Sequence, residues 1–242
     1  MADFLDHLTT EVLVADSGIG ESLSHHGPAE HLCLLDPDRV REAHQLSIEG
    51  GAAVIRTNSF RANAAFLAAN DLGRHVSEIN WSASQIARQA IAGTNVFVAA
   101  RVGPLPSGVP PNDRADLFRQ QIGALLDGRA QLVCLEGFTD VQELITAIEI
   151  KHELHHCPVI ATLATTADLE DHFARLLSAE ADVVGLSSLP AEQIANALAP
   201  LDLDATVAAF PAAEILSPDD RTRLTDAGCS LIGINPPPVA AS

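Results

Sequence analysis

Residues 132–163 read LVCLEGFTDVQELITAIEIKHELHHCPVIATL. The two ends, Leu132–Glu136 and Val159–Leu163, are short apolar runs rich in Val, Leu and Ile, as strands buried on both faces are. Between them Asp140 stands as an N-cap before a helical pattern that reaches His152. Strand, helix and strand in this order form a βαβ unit, whose two strands must lie parallel in one sheet.

The same unit repeats in both directions. Further strand candidates are Val12–Ala15, Ala53–Thr57, Val96–Arg101, Val183–Leu186, Ala205–Phe210 and Cys229–Gly233. Helical patterns cover Asp36–Gly50, Val76–Ala92, Asn112–Gly128, Thr166–Ser178, Pro190–Ala199 and Ser217–Ala227. Asp36 with Pro37, and Ser217 with Pro218, place a cap and a first-turn proline where two of them begin. Eight strands alternating with seven helices, with no linker between, predict one (β/α)8 TIM-barrel domain over residues 1–242. The last strand is followed by Pro236-Pro237-Pro238, which cannot form an eighth helix, so the barrel is expected to be trimmed at its C-terminus. Such an edge leaves apolar surface for a second copy or a partner protein to cover.

Composition agrees with a parallel α/β core. Apolar residues make up 47% of the 242 positions and aromatic ones only 4%. A net charge of −18, with Lys151 the single lysine, argues against nucleic acid. No apolar run approaches the ~20 residues of a membrane helix. The opening MADFLDHLTTEVLVADSG has acidic residues and no basic start, so it does not read as a signal peptide, and the cytoplasm is the expected location. Cys33, Cys134, Cys157 and Cys229 are scattered without metal-type spacing and read as buried structural thiols.

Barrel active sites form at the C-terminal ends of the strands. The residues expected there are Asp16 and the turn Ser17-Gly18-Ile19-Gly20, Thr57-Asn58-Ser59-Phe60, Arg101, Glu136-Gly137-Phe138, Ser187-Ser188 and Ile234-Asn235. His25, His26, His31 and Cys33 cluster in the loop after the first strand, on that same face, and could supply zinc ligands or simply a polar loop. A second cluster, His152, His155, His156 and Cys157, precedes the fifth strand and so belongs to the opposite, stabilising face. Trp81 lies on a helix and is expected to serve core or helix packing.

These mouth segments carry a resemblance. Asp16-Ser-Gly-Ile-Gly20 is similar to the DGAMGT opening of the homocysteine S-methyltransferase family, and VIRTNSFRAN (54–63) to its VIETNTFGAN. VAARVGP (98–104) resembles VAGSIGP, LEGFTD (135–140) resembles LETFTD, and GLSSLPAEQI and AGCSLIGINP follow the family's GINCSPPEHV and AGVSIIGGCC in order. The resemblance implies a barrel that binds homocysteine, activates its thiol on zinc and takes a methyl group from a donor. It also implies that Asp16 and Glu136 surround the homocysteine amino group, with Asn58, Ser188 and Asn235 lining the substrate site. The family's three zinc cysteines fall at Ser188, Asn235 and Pro236 in this sequence, so no metal or other cofactor is predicted.

Arginine has entered the mouth at Arg56, where the family has Glu, and at Arg101 and Arg61, where it has small residues. Its fork suits carboxylate or phosphate. Arg56 and Arg101 bind an anionic ligand, fill the pocket by pairing with Glu136 and Asp16, or are surface arginines that point outward from the barrel. Three functions are therefore expected as alternatives. One is methyl transfer to a small thiol without the family zinc. Another is a non-catalytic barrel acting as a partner or regulatory subunit. The third is an anion site on Arg56 and Arg101.

Overall fold

The computed structural model describes residues 4–16, 18–21, 23, 26–212 and 216–234. Eight parallel strands close into a barrel in sequence order: β1 Leu13–Asp16, β2 Val54–Arg56, β3 Phe97–Val102, β4 Leu132–Phe138, β5 Val159–Leu163, β6 Val183–Ser187, β7 Thr206–Phe210 and β8 Cys229–Ile234. Closure runs through β1 and β8, where Leu13 faces Leu231 and Asp16 faces Ile234. Ten helices accompany them: α1 Phe4–Thr10, α2 Leu32–Leu35, α3 Pro37–Glu49, α4 Ala64–Ala68, α5 Val76–Ala90, α6 Pro111–Asp127, α7 Val141–Leu154, α8 Leu169–Ser178, α9 Ala191–Leu198 and α10 Pro218–Asp226. No helix among the described residues is long and apolar enough to cross a membrane.

Strand alternation divides the core in two. Val54, Ala99, Leu132, Cys134, Ile160, Val183, Ala208 and Leu231 pack inside the barrel. Their neighbours Val133, Leu135, Ala161, Val184 and Leu186 point outward against helix residues such as Phe118, Leu144, Phe173 and Ile194. Carrying the inward parity one step toward the C-terminal end reaches Arg56, Arg101 and Glu136. The barrel interior therefore ends in charge exactly one pleat beyond its last apolar layer.

Several expectations need correction. Helix α1 was not anticipated; its Phe4 and Leu8 join the interior cluster, and Phe4 meets the Phe97 ring edge-on at 5.5 Å, so α1 plugs the N-terminal end. Helix α8 starts at Leu169, not Thr166, because Asp168 sits in the left-handed region at φ 47° and breaks the backbone there. Trp81 is 48% exposed. The buried face of α5 is Val76, Ile79, Asn80, Ala83, Ser84 and Ala87, and position 81 falls off that stripe. The expected lack of an eighth helix after β8 falls on residues 235–242, outside the described residues.

Candidate functional site

Four adjacent strands, β1 to β4, deliver four charged side chains to a single point. Arg56, 1% exposed, is the largest fully buried side chain of the protein. Its Nε donates to Asp16 Oδ1 at 3.1 Å, its Nη1 to Glu136 Oε2 at 2.5 Å, and its Nη2 to the Asp16 carbonyl. The backbone N–H of Arg56 also donates to both Asp16 carboxylate oxygens, at 3.1 and 3.2 Å. The guanidinium lies 4.4 Å from the Phe210 ring centroid, which covers it from β7. Arg101 completes the group: Nε and Nη2 reach Glu136 Oε2 and Oε1, each at 2.9 Å, in a two-pronged pair.

The electrostatics follow from the geometry. Burial alone pushes the Glu136 carboxyl up, but Arg101 and Arg56 outweigh it and hold the group below its ordinary range. Burial lowers Arg56 in turn, and Glu136 and Asp16 more than offset it, so the guanidinium stays charged. Two carboxylates and two guanidiniums sum to zero. Such a buried set is stable only while every charge keeps its partner. Cys134, one pleat below on β4, is pushed up to about 12 by burial and remains a thiol.

Two glycines border this cluster, and the first makes room for it. Gly18, at φ 86°, stands where any Cβ would collide with the Arg101 guanidinium, so the turn after β1 rests on that side chain. Gly137, at φ 82°, follows Glu136 and accompanies the register shift between β4 and β5. Its N–H donates to Ser187 Oγ at 3.0 Å, and Thr162 Oγ1 bonds the same hydroxyl at 2.9 Å.

Above the cluster opens a cavity of about 470 Å³, lined by Glu30, Asn58, Arg101 and Ser188 among others. Asn58 Nδ2 donates to the Ala29 carbonyl at 2.7 Å and pins the 3-10 turn Ala29–His31 over the mouth. Ser188 adopts a left-handed φ of 59°, and its N–H donates to the Phe210 carbonyl at 2.9 Å. Glu30 was not singled out from the sequence; only its place between Pro28 and the apolar Leu32-Cys33 marks it as a residue drawn inward. Asn235 and Pro236 lie outside the described residues, as do Ser17 and His25.

Among the described residues, the sequence-derived metal candidates His26, His31 and Cys33 do not converge with others into a metal site. His26 is exposed, His31 half-buried, and Cys33 buried with its Sγ donating to the Asn58 carbonyl at 3.5 Å. Burial pushes the Cys33 thiol up to about 12, away from the thiolate a metal would need. Among the described residues no three His, Cys, Asp or Glu side chains are placed to hold a metal. Of the three positions that the resemblance assigns to zinc, only Ser188, which carries a hydroxyl, lies among the described residues. The second cluster sits at the N-terminal end of β5, where His152 Nε2 lies 3.1 Å from the Glu180 carbonyl. Arg61 is half-exposed and outside the ion-paired group.

A closed parallel barrel with its charged residues at the C-terminal strand ends is the architecture of a (β/α)8 enzyme scaffold. The chain belongs to the homocysteine S-methyltransferase family, whose sequence profile matches residues 13–228. It is 27% identical over 197 residues to betaine–homocysteine S-methyltransferase 1 of Xenopus tropicalis, covering 73% of this chain and 49% of that protein. It is 25% identical over 161 residues to S-methylmethionine–homocysteine S-methyltransferase BHMT2 of Pongo abelii, covering 62% and 43%. The chain thus spans about half the length of these curated relatives. The apo form of the homocysteine methyltransferase MmuM from Escherichia coli superposes with a TM-score of 0.77 at 21% identity, over 96% of this chain and 92% of that one, and this shows the common fold.

Proposed function

We propose that this barrel is a non-catalytic member of its family, a partner or regulatory subunit that does not methylate homocysteine. One observation carries the reading. Asp16 and Glu136, the carboxylates that the resemblance assigns to the substrate amino group, are both held by the buried Arg56 guanidinium. A substrate ammonium would have to displace a cation that is covalently part of the chain and already makes those bonds. Replacement of the zinc cysteines by Ser188, Asn235 and Pro236 supports the same conclusion. The anion-binding alternative receives less support, because Arg56 and Arg101 donate to carboxylates of the protein itself.

A second reading, methyl transfer to a small thiol or amino acid without zinc, is favoured by the cavity of about 470 Å³ that remains above the cluster. The purified protein should be incubated with homocysteine and either betaine or S-methylmethionine, and methionine formation followed with time. The non-catalytic reading expects none above the protein-free blank, and no heat on titration with homocysteine. Turnover with either donor would overturn it.

A further inference from the structure

We propose that the mouth cavity binds a small organic cation that donates hydrogen bonds, a primary ammonium or guanidinium group, through Glu30. This carboxylate is 3% exposed and belongs to the turn that Asn58 pins in place. Its Oε1 accepts the Arg61 backbone N–H at 3.0 Å and lies 3.6 Å from Arg61 Nε. Its Oε2 is buried and accepts from no donor among the described residues. A carboxyl oxygen buried without a partner is costly, and the cost is removed by whatever supplies it with a hydrogen-bond donor.

The two arginines that line the cavity leave Oε2 unserved, since Arg61 reaches only Oε1. Arg101 lines the same cavity but spends Nε and Nη2 on Glu136. Arg61 lays its guanidinium 4.7 Å from the Phe66 ring centroid. What Oε2 lacks is therefore a hydrogen-bond donor, which an organic cation supplies together with charge. A single carboxylate oxygen is a poor metal site, since cations such as calcium take 6–8 oxygen ligands. The net charge of −18 raises the local concentration of small cations around the protein. Glu30 stands outside the Asp16–Arg56–Glu136–Arg101 group, so the inference holds whether or not the barrel transfers methyl groups.

Calorimetric titration of the full chain with n-butylammonium and n-butylguanidinium, with tetramethylammonium and butyrate alongside, tests this. Saturable binding of the first two is expected. It should weaken about tenfold or more in Glu30→Gln, as loss of a charged hydrogen bond predicts. It should stay unchanged in Glu149→Gln, an exposed acid on α7. Arg61→Ala removes the competing side chain and should bind at least as tightly as the parent. Four results would each overturn the proposal: no saturable binding, equal binding of tetramethylammonium, full binding by Glu30→Gln, or weaker binding by Arg61→Ala. If Glu30→Gln does not fold, the tetramethylammonium comparison and Arg61→Ala decide the matter.

Discussion

Arg56→Met isolates the ion-paired cluster. Methionine keeps an apolar stem against Phe210 but removes the guanidinium that bridges Asp16 and Glu136 at 3.1 and 2.5 Å. Glu136 would retain the two bonds from Arg101, and Asp16 the N–H groups of residues 18 and 56. The Asp16 carboxylate then loses its only side-chain cation among the described residues. Removing one member of a buried pair costs about 3–5 kcal/mol, whereas an exposed pair costs about 0–1 kcal/mol. Urea denaturation at pH 7 should therefore show a large drop in midpoint at unchanged slope. A double-mutant cycle with Glu136→Gln should give a coupling of about 0.5–3 kcal/mol between the two partners. The pH dependence has a definite sign. Glu136 is held below its ordinary value of 4.5, so its contribution is complete above that pH and is lost as pH falls through the folded value. The deficit of Arg56→Met should accordingly shrink in acid. A loss under about 1 kcal/mol at pH 7, or strictly additive single and double variants, would mean that the guanidinium is not paired, and the reasoning would fail.

Other consequences are independent of that cluster. His44 on α3 is fully buried, and burial lowers it from 6.5 to about 4; the unfolded chain therefore takes up the proton first, stability falls as pH drops from 6.5 toward 4, and the loss reaches about 3 kcal/mol. His44→Leu should flatten that slope in denaturation at pH 7 and pH 5, and an unchanged slope would remove His44 as its source. Phe4→Ala should cost about 3–5 kcal/mol by unplugging the barrel, read as a lower melting temperature; a shift within error would show that α1 is not part of the core. All four cysteines are free and buried, so a thiol reagent at pH 8 should label none in the folded protein and four after denaturation. Rapid labelling of any one in the native state would contradict its burial.

The architecture was legible because parallel strands buried on both faces leave an unmistakable apolar signature, repeated between capped helices as at Leu132–Leu163. Helix α1 escaped because seven residues give periodicity too little room, and its role depends on the far end of a barrel that must first close. The ends of elements shifted by a residue or more where a backbone special such as Asp168 intervened.

The site was legible in a different degree. Strand parity carries Val54 to Arg56, Ala99 to Arg101 and Cys134 to Glu136, so one inward charge on each of three adjacent strands could be read off the alternation alone. What alternation does not contain is the direction of a long side chain. An arginine at a strand end can lie over the mouth toward solvent or fold into the barrel, and only the second leaves its charge dependent on partners from other strands. Asp16, the last residue of β1, supplies the deciding contact from outside the inward parity of Leu13 and Ala15, and Gly18 beyond it leaves space for Arg101. The two arginines and two carboxylates thus stand or fall together, since neither arginine is tolerable in the barrel without Asp16 and Glu136. The ion pairs themselves are reason enough for both carboxylates to stand at the strand ends, so their presence adds no weight to a homocysteine-binding reading of the site.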